Sequence, residues 1–220
     1  MIDKPRNNVA RSDEQLVLVI DDDVAMRQAV TNLLESIGLR VAAFGTAREL
    51  LEGTLPAAAS CMILDIRLPG LSGLDLQTEL AKAKVKIPII FMTGHGDIPM
   101  TVKAMKSGAI DFLTKPFRDQ DLLDAVATAL ERDKRRRNDE KVITELQTLV
   151  DALTPRERQV MTLVTEGMMN KQIAHELGIS EITVKIHRGS LTKKMGAHSL
   201  ADLVRMAGIL GLRRTKVPER

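Results

Sequence analysis

Short β-branched apolar runs alternate with amphipathic stretches from Leu16 to about residue 130. The runs at 16–20, 40–44, 61–64, 87–92 and 110–113 predict strands, and several are apolar at every position, as strands covered on both faces must be. Between them, at 24–37, 47–52, 73–81, 98–107 and 119–130, apolar residues recur three and four apart and predict helices. In the last of these, Leu122, Leu123, Val126 and Leu130 form one stripe. This alternation builds a parallel α/β domain.

The pattern then changes. Glu131, Arg132, Asp133, Lys134, Arg135, Arg136 and Arg137 offer nothing apolar to bury and no Gly or Pro to break a helix, which predicts a solvated linker helix. Apolar positions resume as Val142, Leu146, Leu149 and Leu153, a spacing that suits a short coiled-coil contact or, equally, a helix packed on its own chain. From Thr154 every signal is helical. Thr154 caps, Pro155 takes the first helical position and Glu157 closes a capping box; that helix carries Val160, Leu163 and Val164 inward and stops near Gly167. Asn170 is the expected cap of a short helix through Leu177, and Gly178 supplies a left-handed turn. Ser180 caps a helix over 181–195, and Ser199 opens a last one with Leu200, Leu203, Val204 and Met206. The expected organisation is a tail (1–13), an α/β domain (14–130), a linker (131–150), an all-α domain (151–212) and a basic tail (213–220).

Composition fits two modest cores, with 44% hydrophobic and 28% charged residues in 220. No apolar run approaches the roughly 18–20 residues of a membrane span, and residues 1–12 lack the hydrophobic segment of a signal peptide, so a cytoplasmic protein with no membrane partner is expected. The net charge of +3 hides a division: residues 13–130 hold 11 basic and 16 acidic side chains, residues 151–220 hold 12 and 7. The basic block is a candidate for contact with a phosphate backbone. Cys61 lies in an apolar run and is expected to be buried rather than redox-active.

Candidate chemistry sits where the apolar runs end. Asp21, Asp22 and Asp23 follow the first, Asp65 ends the third, Thr93 the fourth, and Lys115 follows the fifth. The carboxyl edge of an open parallel sheet forms the ligand crevice, so these side chains can converge. Clustered carboxylates repel one another, and a hard cation such as Mg²⁺ would relieve that while leaving room for water and phosphate oxygens. Asp65 is then the candidate nucleophile toward a phosphoryl group, with Thr93 and Lys115 stabilising charge on its oxygens.

Val19-Ile20-Asp21-Asp22, Leu64-Asp65-Ile66-Arg67-Leu68-Pro69-Gly70, Phe91-Met92-Thr93-Gly94 and Asp111-Phe112-Leu113-Thr114-Lys115-Pro116-Phe117 resemble, in order, the signatures of receiver domains over about residues 14–130. The resemblance implies a flavodoxin-like fold with a five-stranded parallel sheet of order 2-1-3-4-5. It implies Asp65 as phosphoacceptor, and Mg²⁺ or Mn²⁺ held by Asp21, Asp22, Asp65 and the backbone carbonyl of Arg67, with Asp22 the more direct ligand than Asp21. Asp23 is left as a bystander. A cis bond before Pro116, a swing of Thr93 toward the phosphate and an inward rotation of Phe112 are implied too. So is homodimerisation on phosphorylation through residues 98–112, aided by the linker helix, with Arg67 and His95 tuning loss of the phosphate.

Leu153-Thr154-Pro155-Arg156-Glu157, Asn170-Lys171-Gln172-Ile173-Ala174 and Ile182-Thr183-Val184-Lys185-Ile186-His187 resemble the LuxR-type DNA-binding domain over about residues 150–210. Joined to a receiver, this is similar to the FixJ/NarL family of two-component response regulators. The resemblance implies an all-α, four-helix, helix-turn-helix domain whose second helix of the pair enters the major groove. Lys185, Ile186, Arg188 and Gly189 fall at groove-facing positions, Lys171, Thr183, Lys193 and Lys194 at phosphates, and Val184, Leu191 and Met195 in the core. Gly189 departs from the bulkier residue usual there. The implied partners are a sensor histidine kinase, double-stranded promoter DNA and RNA polymerase holoenzyme, and the implied function is transcriptional activation. No enzyme activity is expected beyond self-catalysed phosphotransfer and slow autodephosphorylation. A haloacid-dehalogenase phosphatase would need Asp-x-Asp-x-Thr/Val, but the fifth position from Asp21 is Ala25 and the third from Asp65 is Arg67. A ligand-sensing LuxR-type regulator would want aromatic residues around its signal, and the chain has no Trp or Tyr and four Phe.

Overall fold

The computed structural model describes residues 15–53, 59–94 and 98–212. Five strands, β1 (Leu16–Ile20), β2 (Arg40–Phe44), β3 (Ala59–Asp65), β4 (Ile89–Thr93) and β5 (Asp111–Thr114), pair in parallel in the order β2-β1-β3-β4-β5. Alternate side chains of the central strands sort to two faces, as the pleat requires. Leu18, Ile20, Met62, Leu64 and Phe91 bury with α2 (Ala47–Glu52) and α3 (Gly73–Lys82), and with Ala104 of α4 (Ile98–Lys106). Val17, Val19, Cys61, Ile63, Ile90 and Met92 bury with α1 (Val24–Ser36) and the start of α5 (Asp119–Asp151). Both faces are covered, and this is why the central runs 16–20, 61–64 and 89–92 carry no polar residue.

The fold agrees with the expected class and strand order, with local corrections. The fourth strand begins at Ile89 rather than residue 87, because Pro88 has no N–H for the ladder; its carbonyl accepts from Met62. Asp23, set aside as a metal ligand, has a structural role: its side chain caps α1, accepting from the amides of Ala25 and Met26 at 2.8 and 3.2 Å. The charged stretch is part of one unbroken helix, α5, and is not wholly solvated, since Asp133 is 1% exposed and paired with Arg136 one turn on. Burial, with a smaller push from Asp133, carries the Cys61 thiol up to about 12, so Cys61 is an inert core residue.

The chain divides into two units between Arg136 and Arg137. In the second, Leu149 and Val150 at the end of α5 and Leu153 just beyond it join a core with α6 (Pro155–Thr165), α7 (Asn170–Leu177), α8 (Glu181–Met195) and α9 (Leu200–Ile209). Packing on the chain's own core therefore accounts for this end of the linker pattern. The box at Thr154 is present, with Glu157 Oε2 accepting from the Thr154 amide at 2.8 Å and Thr154 Oγ1 from the Glu157 amide at 3.2 Å. Asn170 does not cap α7. Met169 occupies that position, and Gln172 reaches back to its amide at 2.8 Å. Gly178 and Gly196 end α7 and α8 at positive φ, 63° and 62°. The expected tails 1–13 and 213–220 lie outside the described residues, as does His95.

Candidate functional site

Parallel strands that all end at one edge deliver Asp21, Asp65, Thr93 and Lys115 to the same crevice. Asp21 follows β1, Asp65 closes β3, Thr93 closes β4, and Lys115 follows β5, its amide bonded to the Thr93 carbonyl at 2.7 Å. The strand order reverses between β1 and β3, which opens a crevice at their carboxyl ends. Lys115 Nζ lies 2.6 Å from Asp21 Oδ2 and 2.6 Å from Asp65 Oδ2. Asp65 Oδ1 accepts from the Arg67 amide at 2.9 Å, and Asp21 Oδ1 from the Asp23 amide at 3.0 Å. Thr93 is fully buried. The peptide bond between Lys115 and Pro116 is cis.

Asp21 is 0% exposed and Asp65 6%, while Asp22 is open to solvent. Burial pushes the Asp21 carboxyl above its usual range, against the pull of Lys115. Burial would lower the Lys115 ammonium, but its bonds to the two carboxylates carry it higher than usual, so it remains charged. Oxygens of Asp21, Asp22 and Asp65 lie within 4.8 Å of one another. Two shielded carboxylates and one exposed one form an oxygen-donor set with negative charge to neutralise and an open side for water, which fits a hard divalent cation. Phe112 is half-buried and packs on the face built by α2, α3 and α4.

Gly73 escaped the sequence reading. A Cβ there would lie 2.4 Å from the Asp65 carbonyl oxygen and 3.1 Å from Leu64 Cγ, so the first turn of α3 presses directly on the strand that presents Asp65. The only sequence signal is a glycine at a first helical position behind its Ser72 cap, where it weakens the helix unless close approach requires it. Gly73→Ala should cost about 1–3 kcal/mol by overpacking. Chemical denaturation would measure this, and unchanged stability would mean that α3 shifts freely.

In the helical unit, Val184, Leu191 and Met195 of α8 are buried, while Lys171, Lys185, Ile186, Gly189 and Lys193 are exposed. Two expected DNA contacts are otherwise engaged. Arg188 Nη1 donates to Asn170 Oδ1 at 2.6 Å, which ties α8 to α7 and explains why Asn170 is not a cap. Lys194 Nζ pairs with the buried Glu157 at 2.7 Å, and Ser190 Oγ donates to the same carboxylate at 2.5 Å. These bonds, chiefly that from Lys194, hold the Glu157 carboxyl down to about 2. Thr183 is shared between roles, its hydroxyl meeting that of Ser180 at 2.8 Å within the cap of α8. The pairings join residues 18, 33 and 37 positions apart, beyond the reach of any local pattern.

A doubly wound sheet with an acidic crevice, followed by a helix-turn-helix unit, defines a signal-receiving DNA-binding protein. The model of the response regulator receiver domain matches residues 17–127, and that of the bacterial regulatory proteins of the luxR family matches residues 151–207. The chain belongs to the two-component response regulators that join a receiver to a LuxR-type DNA-binding domain. It is 60% identical over 201 residues to nodulation protein W of Bradyrhizobium diazoefficiens, covering 91% of this chain and 88% of that protein. It is 43% identical to the transcriptional regulatory protein FixJ of Azorhizobium caulinodans, covering 89% and 93%. Among solved structures, the response regulator StyR matches with TM-score 0.80 at 47% identity, covering 89% of this chain and 98% of that one. Family membership brings a kinase partner and DNA binding with it. Among the described residues, no helix is long and apolar enough to cross a membrane.

Proposed function

We propose that Asp65 takes a phosphoryl group from a phosphohistidine of the sensor kinase, and that the resulting acyl phosphate turns the chain into a DNA-bound transcriptional activator in the cytoplasm. A carboxylate oxygen of Asp65 attacks phosphorus, the P–N bond breaks, and its electron pair leaves with the imidazole. The observation that carries this reading is the position of Lys115, whose ammonium spans Asp21 and Asp65 at 2.6 Å from each. Once phosphorus is bonded to Asp65, the same ammonium exchanges its carboxylate contact for a phosphate oxygen. Asp21, Asp22, Asp65 and the backbone carbonyl of Arg67 are the residues to hold Mg²⁺ or Mn²⁺. The ion, when bound, offsets the charge gathered on the phosphoryl oxygens. Thr93, at the end of the neighbouring strand, supplies a hydroxyl to the phosphate, and its movement leaves room for Phe112 to rotate inward. Slow hydrolysis, in which water attacks phosphorus, the P–O bond to Asp65 breaks and inorganic phosphate leaves with the carboxylate restored, is the only further chemistry assigned.

The consequence is carried by residues 98–112. Ile98, Val102 and Met105 lie on one face of α4 and are exposed, an apolar strip that suits burial against a second copy. Val142 and Ile143 of α5 are exposed as well and support a contribution from the linker helix. Dimerisation brings two recognition helices to successive half-sites, where Lys185 and Ile186 read bases, Lys171, Thr183 and Lys193 hold phosphates, and RNA polymerase holoenzyme is engaged at the promoter. Arg188 and Lys194 brace the helix rather than read. Sedimentation of the full chain with Mg²⁺, with and without acetyl phosphate, should show the mass double on phosphorylation. Monomers in both samples would reject dimerisation.

A further inference from the structure

We infer that Ile182 is a specificity-determining residue, and that with Ile186 it reads the 5-methyl groups of thymines in the major groove. This rests on α8 being the recognition helix. Positions 182, 185, 186 and 189 are separated by three, four and seven residues and share one helical face. The buried Val184, Leu191 and Met195 lie on the opposite side. That geometry makes Ile182 and Ile186 the apolar centre of the surface aimed away from the core. They are 71% and 65% exposed. A lone exposed isoleucine needs no explanation, but two on successive turns at the centre of a DNA-facing surface do. Lys171, Lys185 and Lys193 are exposed on the same helix pair, which favours a polyanion over an apolar protein surface as the occupant.

In the major groove the one apolar group on a base edge is the thymine methyl. A β-branched side chain suits it, because its stiff χ1 leaves little freedom to lose on contact. A cytosine amino group against the same isoleucine would be stripped of water without an acceptor. Four residues of helix rise about 6 Å, and base pairs are stacked about 3.4 Å apart, so the two side chains address thymines one or two steps apart. Gly189, one turn beyond, offers no side chain, with nothing within 4 Å of where its Cβ would stand. The apolar readout therefore ends at Ile186, and Lys185 supplies the polar one.

The test selects sites from a random duplex library with phosphorylated full-length chain. Each thymine of the selected half-site is then replaced by deoxyuridine, which removes only the methyl. Wild type should lose about three- to tenfold in affinity at each of two thymines one or two steps apart, on the order of one buried methyl apiece. Ile182→Ala should bind the thymine and deoxyuridine versions of one of those positions equally, while keeping its response at the other. The exposed site makes this substitution safe for folding, and circular dichroism checks it. Indifference of wild type to every deoxyuridine, or full discrimination retained by Ile182→Ala, would overturn the inference and leave DNA binding standing. Enrichment of no sequence at all would overturn both.

Discussion

Asp65→Asn takes up no phosphate from acetyl phosphate in the presence of Mg²⁺, whereas wild type shifts to a retarded band on phosphate-affinity electrophoresis. Asparagine preserves the size of the side chain and an oxygen to accept from the Arg67 amide, so β3 and its neighbours are undisturbed. What disappears is the nucleophile. An amide oxygen is too weakly basic to attack phosphorus, and the loss should be complete within detection. Lys115 remains paired with the fully buried Asp21, which limits the cost of removing its second partner. The variant should keep wild-type secondary structure and remain monomeric in acetyl phosphate. A stable phosphorylated adduct on the variant would refute the assignment.

Glu157→Ala destabilises the helical unit by on the order of 3 kcal/mol, a larger effect than any other single substitution in that unit's polar network should produce. The carboxylate is 4% exposed and gathers bonds from the Thr154 amide, the Ser190 hydroxyl and the Lys194 ammonium. Truncation takes the shared acceptor from three donors at the junction of α6 and α8. Lys194 is partly solvated and can regain water, which keeps the cost below that of a fully buried pair. The pH dependence has a definite sign. The folded-state pKa of about 2 lies below the ordinary 4.5, so this stabilisation is fully present above about 4.5 and is lost as pH falls toward 2. Glu157→Gln keeps an oxygen acceptor but has no charge to titrate. Urea denaturation followed by circular dichroism should show wild type losing its advantage over Glu157→Gln across that window. A constant difference from pH 6 to pH 2.5 would contradict the account.

How far the fold and site could be read from sequence depended on how local the determining physics was. β1 and β2 were legible to the residue, β1 because Asp21 ends its apolar run and β2 because Gly38 and Gly45 mark turns on either side. The strand order came from the receiver resemblance, and the convergence of Asp21, Asp65, Thr93 and Lys115 was legible because a parallel sheet puts every strand's carboxyl end on one side. Errors fell where a residue's role is set by a partner far away in sequence. Asn170 is a good helix cap by type, yet Arg188 claims its side chain. The pairing of Lys194 with Glu157, 37 residues away, was likewise beyond any local pattern. Asp133, within a run of charges, is buried because α5 turns that position inward. Gly73 could be recognised only once the Asp65 carbonyl was known to lie against it.

The bond to Asp65 itself offers the most direct test. Borohydride reduces an aspartyl phosphate to homoserine, so treatment of the acetyl phosphate-loaded chain followed by peptide mass spectrometry marks the phosphorylated position. Homoserine is expected at position 65 alone, and only when Mg²⁺ or Mn²⁺ was present during loading. Homoserine at position 21 or 22 instead, or labelling of position 65 undiminished by a chelator, would contradict this expectation.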